Sequence, residues 1–181
     1  LGIVSNVMPP PIPASYCVSV SKKEEERLKL TFIGRFDENK GIKKVISLFK
    51  KLSLNVSKVD LCVSGYFGHG IANIKEIKDL FISIPDLEVQ QKSWKKWSHE
   101  MDEDVVKLLQ ETDILILPYN NLKGTMDPPL LVLEGMACGC LILTVDEGSV
   151  KEFYGESRFI LGHNSFVDEA YVIINEILNN K

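Results

Sequence analysis

Short, continuously apolar runs rich in β-formers alternate along this chain with longer stretches whose apolar residues recur at helical spacing. Few folds accept that alternation. Leu28-Lys29-Leu30-Thr31-Phe32-Ile33-Gly34 is the first run, and Ile42, Val45, Ile46, Phe49 and Leu52 follow at helical intervals with lysines on the other face. Val59 to Ser64 reads as a second strand, closed by the glycine loop Gly65 to Gly70, after which Ile71, Ile74, Ile77, Leu80 and Phe81 make an amphipathic helix. A short strand from Leu87 to Gln90, a charged helix with Val105, Val106, Leu108 and Leu109 inward, and a strand from Asp113 to Leu117 come next. An apolar helix, a strand from Cys140 to Val145, a short helix from about Ser149, a brief strand near Phe159 to Leu161 and a helix over Phe166 to Leu178 complete the pattern. Strands that are apolar on consecutive residues are covered on both faces, and regular intervening helices make them parallel. The expected fold is therefore α/β, a Rossmann-like doubly wound parallel sheet with helices on both faces. Ligands of such sheets bind beyond the carboxyl ends of the strands, so the residues just after each strand carry the interest.

The 181 residues suffice for one core. Pro9, Pro10, Pro11 and Pro13, followed by the charged cluster Lys22 to Arg27, mark residues 1–27 as an extended lead-in outside that core, with the domain itself over 28–181. A net charge of −4 argues against a nucleic-acid partner, because phosphate backbones call for a basic surface. No apolar run approaches the roughly 20 residues of a membrane span. The opening LGIVSNVMPPPIP lacks the basic region and cleavage pattern of a signal peptide, so a cytoplasmic setting is expected. Cys17, Cys62, Cys138 and Cys140 lie mostly in apolar context and read as buried small hydrophobes of a reducing compartment. No His or Cys pair completes a zinc site around Cys138 and Cys140, so no metal is expected.

Two stretches concentrate the chemistry. From Leu130 to Ala137 the chain is apolar on almost every helical face, which predicts a helix buried all round. A proline in the first turn and Asp127 as N-cap suit its start, and Gly139 suits its left-handed end. Glu134 sits in the middle. A carboxylate there needs hydrogen-bond donors, so it either takes a solvated edge or faces a ligand rich in hydroxyls. The second stretch, Gly34-Arg35-Phe36-Asp37-Glu38-Asn39-Lys40-Gly41, follows the first strand. Gly34 permits a tight exit, and Asp37 or Asn39 can cap the next helix. Arg35 and Lys40, with backbone N–H groups at a helix start, can cradle a diphosphate; the plainer reading is a polar turn with solvated cations. The loop has neither a P-loop ending nor G-x-G-x-x-G. Gly65 to Gly70, with His69, is a weaker glycine turn, and an oxidoreductase built on it fares poorly because it follows the second strand.

Together, GRFDENKG after an early strand, the glutamate of LLVLEGMACG and the later VDEGSVKEF resemble the C-terminal half of a family 4 glycosyltransferase, an enzyme of two-domain GT-B architecture. The lead-in VSNVMPPPI resembles that architecture's interdomain linker. The resemblance implies the donor-binding half of a retaining glycosyltransferase of hexosyltransferase type, with a role in building glycans. Its donor would be a nucleoside-diphosphate sugar, its acceptor a glycan or lipid-linked carrier, and its other half an N-terminal acceptor-binding domain. No cofactor is implied, and the setting is cytoplasmic, with peripheral membrane attachment as a variant. By position, Arg35 and Lys40 would offset charge growing on the diphosphate, next to Gly34. Glu134 would take the ribose hydroxyls, and the N–H groups of Leu130 and Leu131 would complete the cradle. The family's sugar-binding glutamate, eight positions before Glu134, falls at Met126. Asp127, one position on, either substitutes or caps the helix. Pro128 and Pro129 stand where the family often has a glycine turn, and proline offers no N–H. Trp94, in Ser93 to Ser98, would stack on the base, face a membrane or the other domain, or simply pack at the sheet edge. Gly148 and Glu152 match the family's G-G-x-x-E in part and are expected to shape a turn and a helix start. The rival of a different class is a non-catalytic nucleotide-binding or interaction domain of the same fold.

Overall fold

The computed structural model describes residues 11–17, 27–55, 58–68, 73–92 and 99–180. Six strands form one sheet: β1 (Leu28–Arg35), β2 (Val59–Tyr66), β3 (Glu88–Gln91), β4 (Ile114–Leu117), β5 (Leu141–Val145) and β6 (Ile160–Leu161). All neighbours pair in parallel, in the order β3-β2-β1-β4-β5-β6. The connections carry α1 (Ile42–Leu52), α2 (Ile74–Ile82), α3 (His99–Glu111), α4 (Leu130–Ala137) and α5 (Val150–Tyr154), and α6 (Phe166–Asn179) follows β6. This is the expected Rossmann-like doubly wound sheet. Right-handed crossovers put α1 and α2 on one face, where α6 returns to pack on α1, and α4 on the other, against α3.

The apolar runs explain the layering. Every residue of β4 is buried, and Leu30, Thr31, Phe32 and Ile33 of β1 are buried on successive positions, as strands covered on both faces require. Beneath α1 lie Ile42, Val45, Ile46, Phe49 and Leu52, while Lys43, Lys50 and Lys51 face solvent. Lys51 reaches Asp168 on α6 and ties the two helices together. Phe36 anchors one end of the core, with its ring 5.2 Å from those of both Phe67 and Phe81 in edge-on contacts.

Four expectations need correction. Gly34 is not the exit from β1: the strand runs through Arg35, and Gly34 pairs opposite Gly65 in the ladder. The lead-in is not wholly outside the core. A 3-10 turn over Ala14–Tyr16 buries the Tyr16 ring, Ser15 O accepts from Gln110 Nε2 of α3 at 3.2 Å, and Tyr16 O accepts from Cys138 Sγ at 3.5 Å. An aromatic ring buries enough apolar surface to offset the ordering of a proline-rich segment. Third, Cys62, Cys138 and Cys140 are buried but Cys17 is exposed. Burial pushes the Cys62 thiol up to about 12, which leaves it a small hydrophobe.

The fourth concerns α4, which is not buried all round. Val132 and Gly135 are its buried residues, and Met136 is 40% exposed. High hydrophobicity without a polar face does not say which side is covered. Gly135 shows which side is: a Cβ there would lie 2.7 Å from Leu115 Cδ2, so the helix backbone rests directly on β4. At the far end, Cys140 N donates to Gly135 O at 2.9 Å and Gly139 N to Met136 O at 3.0 Å, with Gly139 at φ 72°. That is a Schellman end, as the glycine's position implied.

Candidate functional site

The strand order reverses direction between β1 and β4. From β1 the chain crosses to β2 on one side, and from β4 to β5 on the other, so the loops 36–41 and 118–129 part here and leave a crevice beyond the strand ends. The two loops are nevertheless bound at their bases. Asn120 N donates to Asn39 O at 2.9 Å, Asn120 Nδ2 to Glu38 O at 2.6 Å, and Asn121 Nδ2 to Asn39 Oδ1 at 3.0 Å. Gly41 begins α1 at φ 74° with Pro118 against it; a Cβ there would fall 2.0 Å from Pro118 O, so only glycine fits.

Arg35 and Lys40 both lie on this lip. Arg35 Nε is 3.0 Å from Asp37 Oδ2, and Nη2 donates to Lys123 O at 3.1 Å, so the guanidinium is held in place by both loops. Lys40 is held differently. Its Nζ sits 5.0 Å from the centroid of the Tyr119 ring, and among the described residues no carboxylate comes within ion-pair distance. Burial, reinforced by the nearby Arg35 charge and opposed by Asp37, lowers its pKa to about 8. Asp37 does not cap α1, and neither does Asn39, since α1 has no side-chain cap. Asp37 Oδ1 instead accepts from the Lys40 backbone N–H at 2.9 Å and shapes the turn.

Glu134 lies midway along α4, half-buried; burial, with the Glu134 charge adding to it, pushes the Tyr119 phenol well above its ordinary range. Tyr119 therefore meets the Lys40 ammonium with its ring and feels the Glu134 charge at its hydroxyl. At the start of α4, Leu130 and Leu131 are half-buried, and their N–H groups precede the first point at which a helix can use its own carbonyls. Asp127 does not cap α4. The N-cap position is Pro129, without a side-chain bond, and Asp127 Oδ1 accepts instead from Ser149 N at 2.8 Å and Ser149 Oγ at 2.6 Å. Those bonds hold its carboxyl below the usual carboxylate range and tie the loop before α4 to the start of α5. Met126 is 58% exposed. Gly148, at φ 60°, makes the turn before α5 and Glu152 lies in that helix's first turn, the structural roles expected of them.

Trp94 and His69 lie outside the described residues. Tyr119, Asn120 and Asn121 were missed in the sequence, where the available signal was their place directly after β4, at the switch point. Among the described residues no group of three or more His, Cys, Asp or Glu is arranged to hold a metal ion, and no helix is long and apolar enough to cross a membrane.

The six-stranded parallel sheet with its helices matches the fold of GT-B glycosyltransferase domains. The C-terminal domain of LpcC, a glycosyl transferase group 1 protein from Francisella tularensis, is similar with a TM-score of 0.62 and 14% identity, over 83% of this chain and 77% of that one. The catalytic domain of cholesterol-α-glucosyltransferase from Helicobacter pylori gives 0.59 and 14%, over 85% and 88%. A TarM variant from S. aureus, solved with fondaparinux, alpha-GlcNAc-glycerol and UDP, gives 0.63 and 13%; it is matched over 90% of this chain but 31% of its own length. No curated protein matches the chain as a relative. The family model for glycosyl transferases group 1 matches residues 18–181, and the chain belongs to that family.

Proposed function

We propose that the chain is the donor-binding half of a retaining, family 4-type glycosyltransferase that moves a hexose from a nucleoside-diphosphate sugar to a glycan or lipid-linked acceptor. The observation that carries this is Lys40: a half-buried cation at a switch-point crevice, with its pKa lowered by burial and no carboxylate partner among the described residues. Such a group is costly to the fold and suits a ligand that brings its own negative charge. Arg35, fixed beside it, would share the diphosphate, and the two cations would offset the charge that grows on the leaving group as the sugar–phosphate bond breaks. These cations supply the electrostatic role that a divalent ion plays in other transferases, so the donor is proposed to need no metal or cofactor. The Leu130 and Leu131 N–H groups would add donors at the helix start, and Glu134 would accept from the ribose hydroxyls. Trp94 remains the proposed base contact.

An N-terminal acceptor-binding domain would form the other wall of the cleft, with the whole enzyme in the cytoplasm or attached to the inner membrane surface. Supporting this division, the chain spans about a third of TarM. Calorimetric titration with a panel of nucleoside diphosphates tests the reading: Arg35→Ala and Lys40→Ala should each weaken binding, and unchanged affinity in both would sink the phosphate assignment. One observation favours the non-catalytic reading. Met126 offers no carboxylate, and Asp127 is already engaged by Ser149. Sugar transfer by this chain joined to its N-terminal half decides between the two.

A further inference from the structure

We infer that Tyr119 is a positioning residue, whose ring face holds the Lys40 ammonium at the β1–β4 crevice and leaves its charge available to a diphosphate. The inference rests on the donor-binding reading above and adds to it a residue outside the family-like motifs. Lysine is a point charge on a flexible stem with many rotamers, so a lysine that must meet a diphosphate needs something to restrict it. A carboxylate would restrict it but also neutralise it and compete with phosphate. An aromatic face does neither, because it attracts the cation through its quadrupole and keeps hold of one side of the ammonium while the other side meets a true anion.

The surroundings of Tyr119 suit that task. The ring is 2% exposed and cannot swing away. Its N–H donates to Leu117 O at 3.0 Å, Pro118 before it is seated against Gly41, and Asn120 after it is bonded to Glu38 and Asn39. Residues 118–121 thus grip the loop that carries Lys40 on either side of the ring, and the 5.0 Å contact between Nζ and ring centroid joins two parts that are already fixed. The Tyr119 hydroxyl, kept neutral by burial, also feels the Glu134 charge. One side chain therefore interacts with both the group proposed for the phosphates and the group proposed for the ribose.

The test uses the full chain with UDP and inorganic pyrophosphate as probes, titrated by calorimetry at neutral pH. Tyr119→Phe keeps the ring and should bind both probes within about 2-fold of the parent, whereas Tyr119→Leu should lose about 3- to 10-fold on both, the scale of ordering one long side chain on binding. Adding Tyr119→Leu to Lys40→Met should cost nothing further; an equal loss on that background would show a merely structural ring and overturn the inference. The unmodified protein supplies a check that needs no variant. The ring current should shift the Lys40 side-chain methylene protons upfield in its NMR spectrum, and positions at random-coil values overturn the contact outright. If the parent chain binds neither probe, the donor-binding reading fails, and the role of Tyr119 in presenting Lys40 to a diphosphate fails with it even where the ring-current shift is seen.

Discussion

Replacing Lys40 with methionine should make the domain more stable and less able to bind. The buried stem of the side chain is kept and the charge is removed. In the folded chain the ammonium titrates near 8, against 10.5 for an ordinary lysine, with burial as the main cause. Between those two values the unfolded chain binds more protons than the folded one, so stability rises with pH across that window. Below it both states are charged, and the folded state carries the whole desolvation cost. Lys40→Met should therefore raise the melting temperature at pH 7, and its advantage should shrink as pH climbs from 8 toward 10.5. Binding should move the other way. A charge-assisted contact to phosphate is worth about 1.5–3 kcal/mol, so the variant should bind a nucleoside diphosphate about 10- to 150-fold more weakly. Proton linkage supplies an independent reading. Phosphate stabilises the charged form, so Lys40 should take up about half a proton on binding at pH 8 and almost none at pH 6, where the terminal phosphate of the ligand, with its second pKa at about 6, instead releases protons; the uptake at pH 8 should be missing in Lys40→Met. Calorimetry in two buffers of different ionisation enthalpy measures that uptake, and thermal unfolding measures the rest. A variant that melts lower and binds as tightly as the parent would refute the assignment of Lys40 to a ligand.

Other substitutions probe separate parts of the account. Glu134→Gln should weaken UDP by about 10-fold, the scale of lost hydrogen bonds to a charged group, and leave pyrophosphate unchanged, since only UDP carries a ribose; equal losses on both probes would remove Glu134 from the ribose. Gly135→Val should destabilise the domain by about 1–3 kcal/mol in urea unfolding, because the new side chain meets Leu115 2.7 Å and Ile142 3.2 Å from its Cβ position. An unmoved midpoint would mean that α4 stands off the sheet. Asp127 has a folded pKa below the ordinary carboxylate value, so its bonds to Ser149 contribute stability above that value and lose it as pH falls through the folded one. Asp127→Ala should thus be less stable than the parent at neutral pH and converge with it in strong acid; a constant gap would contradict the Ser149 contact.

The elements were legible because their signals are local and repeated. The observed β2 begins at Val59 and α1 spans Ile42–Leu52, where the apolar runs place them, and Gly139 ends α4 as a left-handed residue must. What escaped was decided by partners distant in sequence. Asp127 looks like a helix cap beside Pro128, yet its hydrogen bonds come from Ser149, on a turn that the fold brings alongside. Leu130 to Ala137 looks like a fully buried helix because composition records how apolar a helix is and not how much of it a neighbour covers. Tyr16 lies in a proline-rich segment, where no periodicity shows that its ring fills the core. The cations Arg35 and Lys40 were visible in GRFDENKG, but the contrast between them was not. Arg35 is tied to Asp37 and Lys123, whereas Lys40 is stacked on Tyr119, a residue that on its own reads only as an aromatic after a strand.

Amide chemical-shift perturbation on the isotope-labelled chain locates bound UDP directly and so decides whether the β1–β4 crevice is the donor site. Saturable shifts should concentrate in residues 34–41 and 118–134, at the carboxyl ends of β1 and β4, and should be lost in Lys40→Met. Saturable shifts elsewhere, or none in those two loops at millimolar UDP, would contradict that placement.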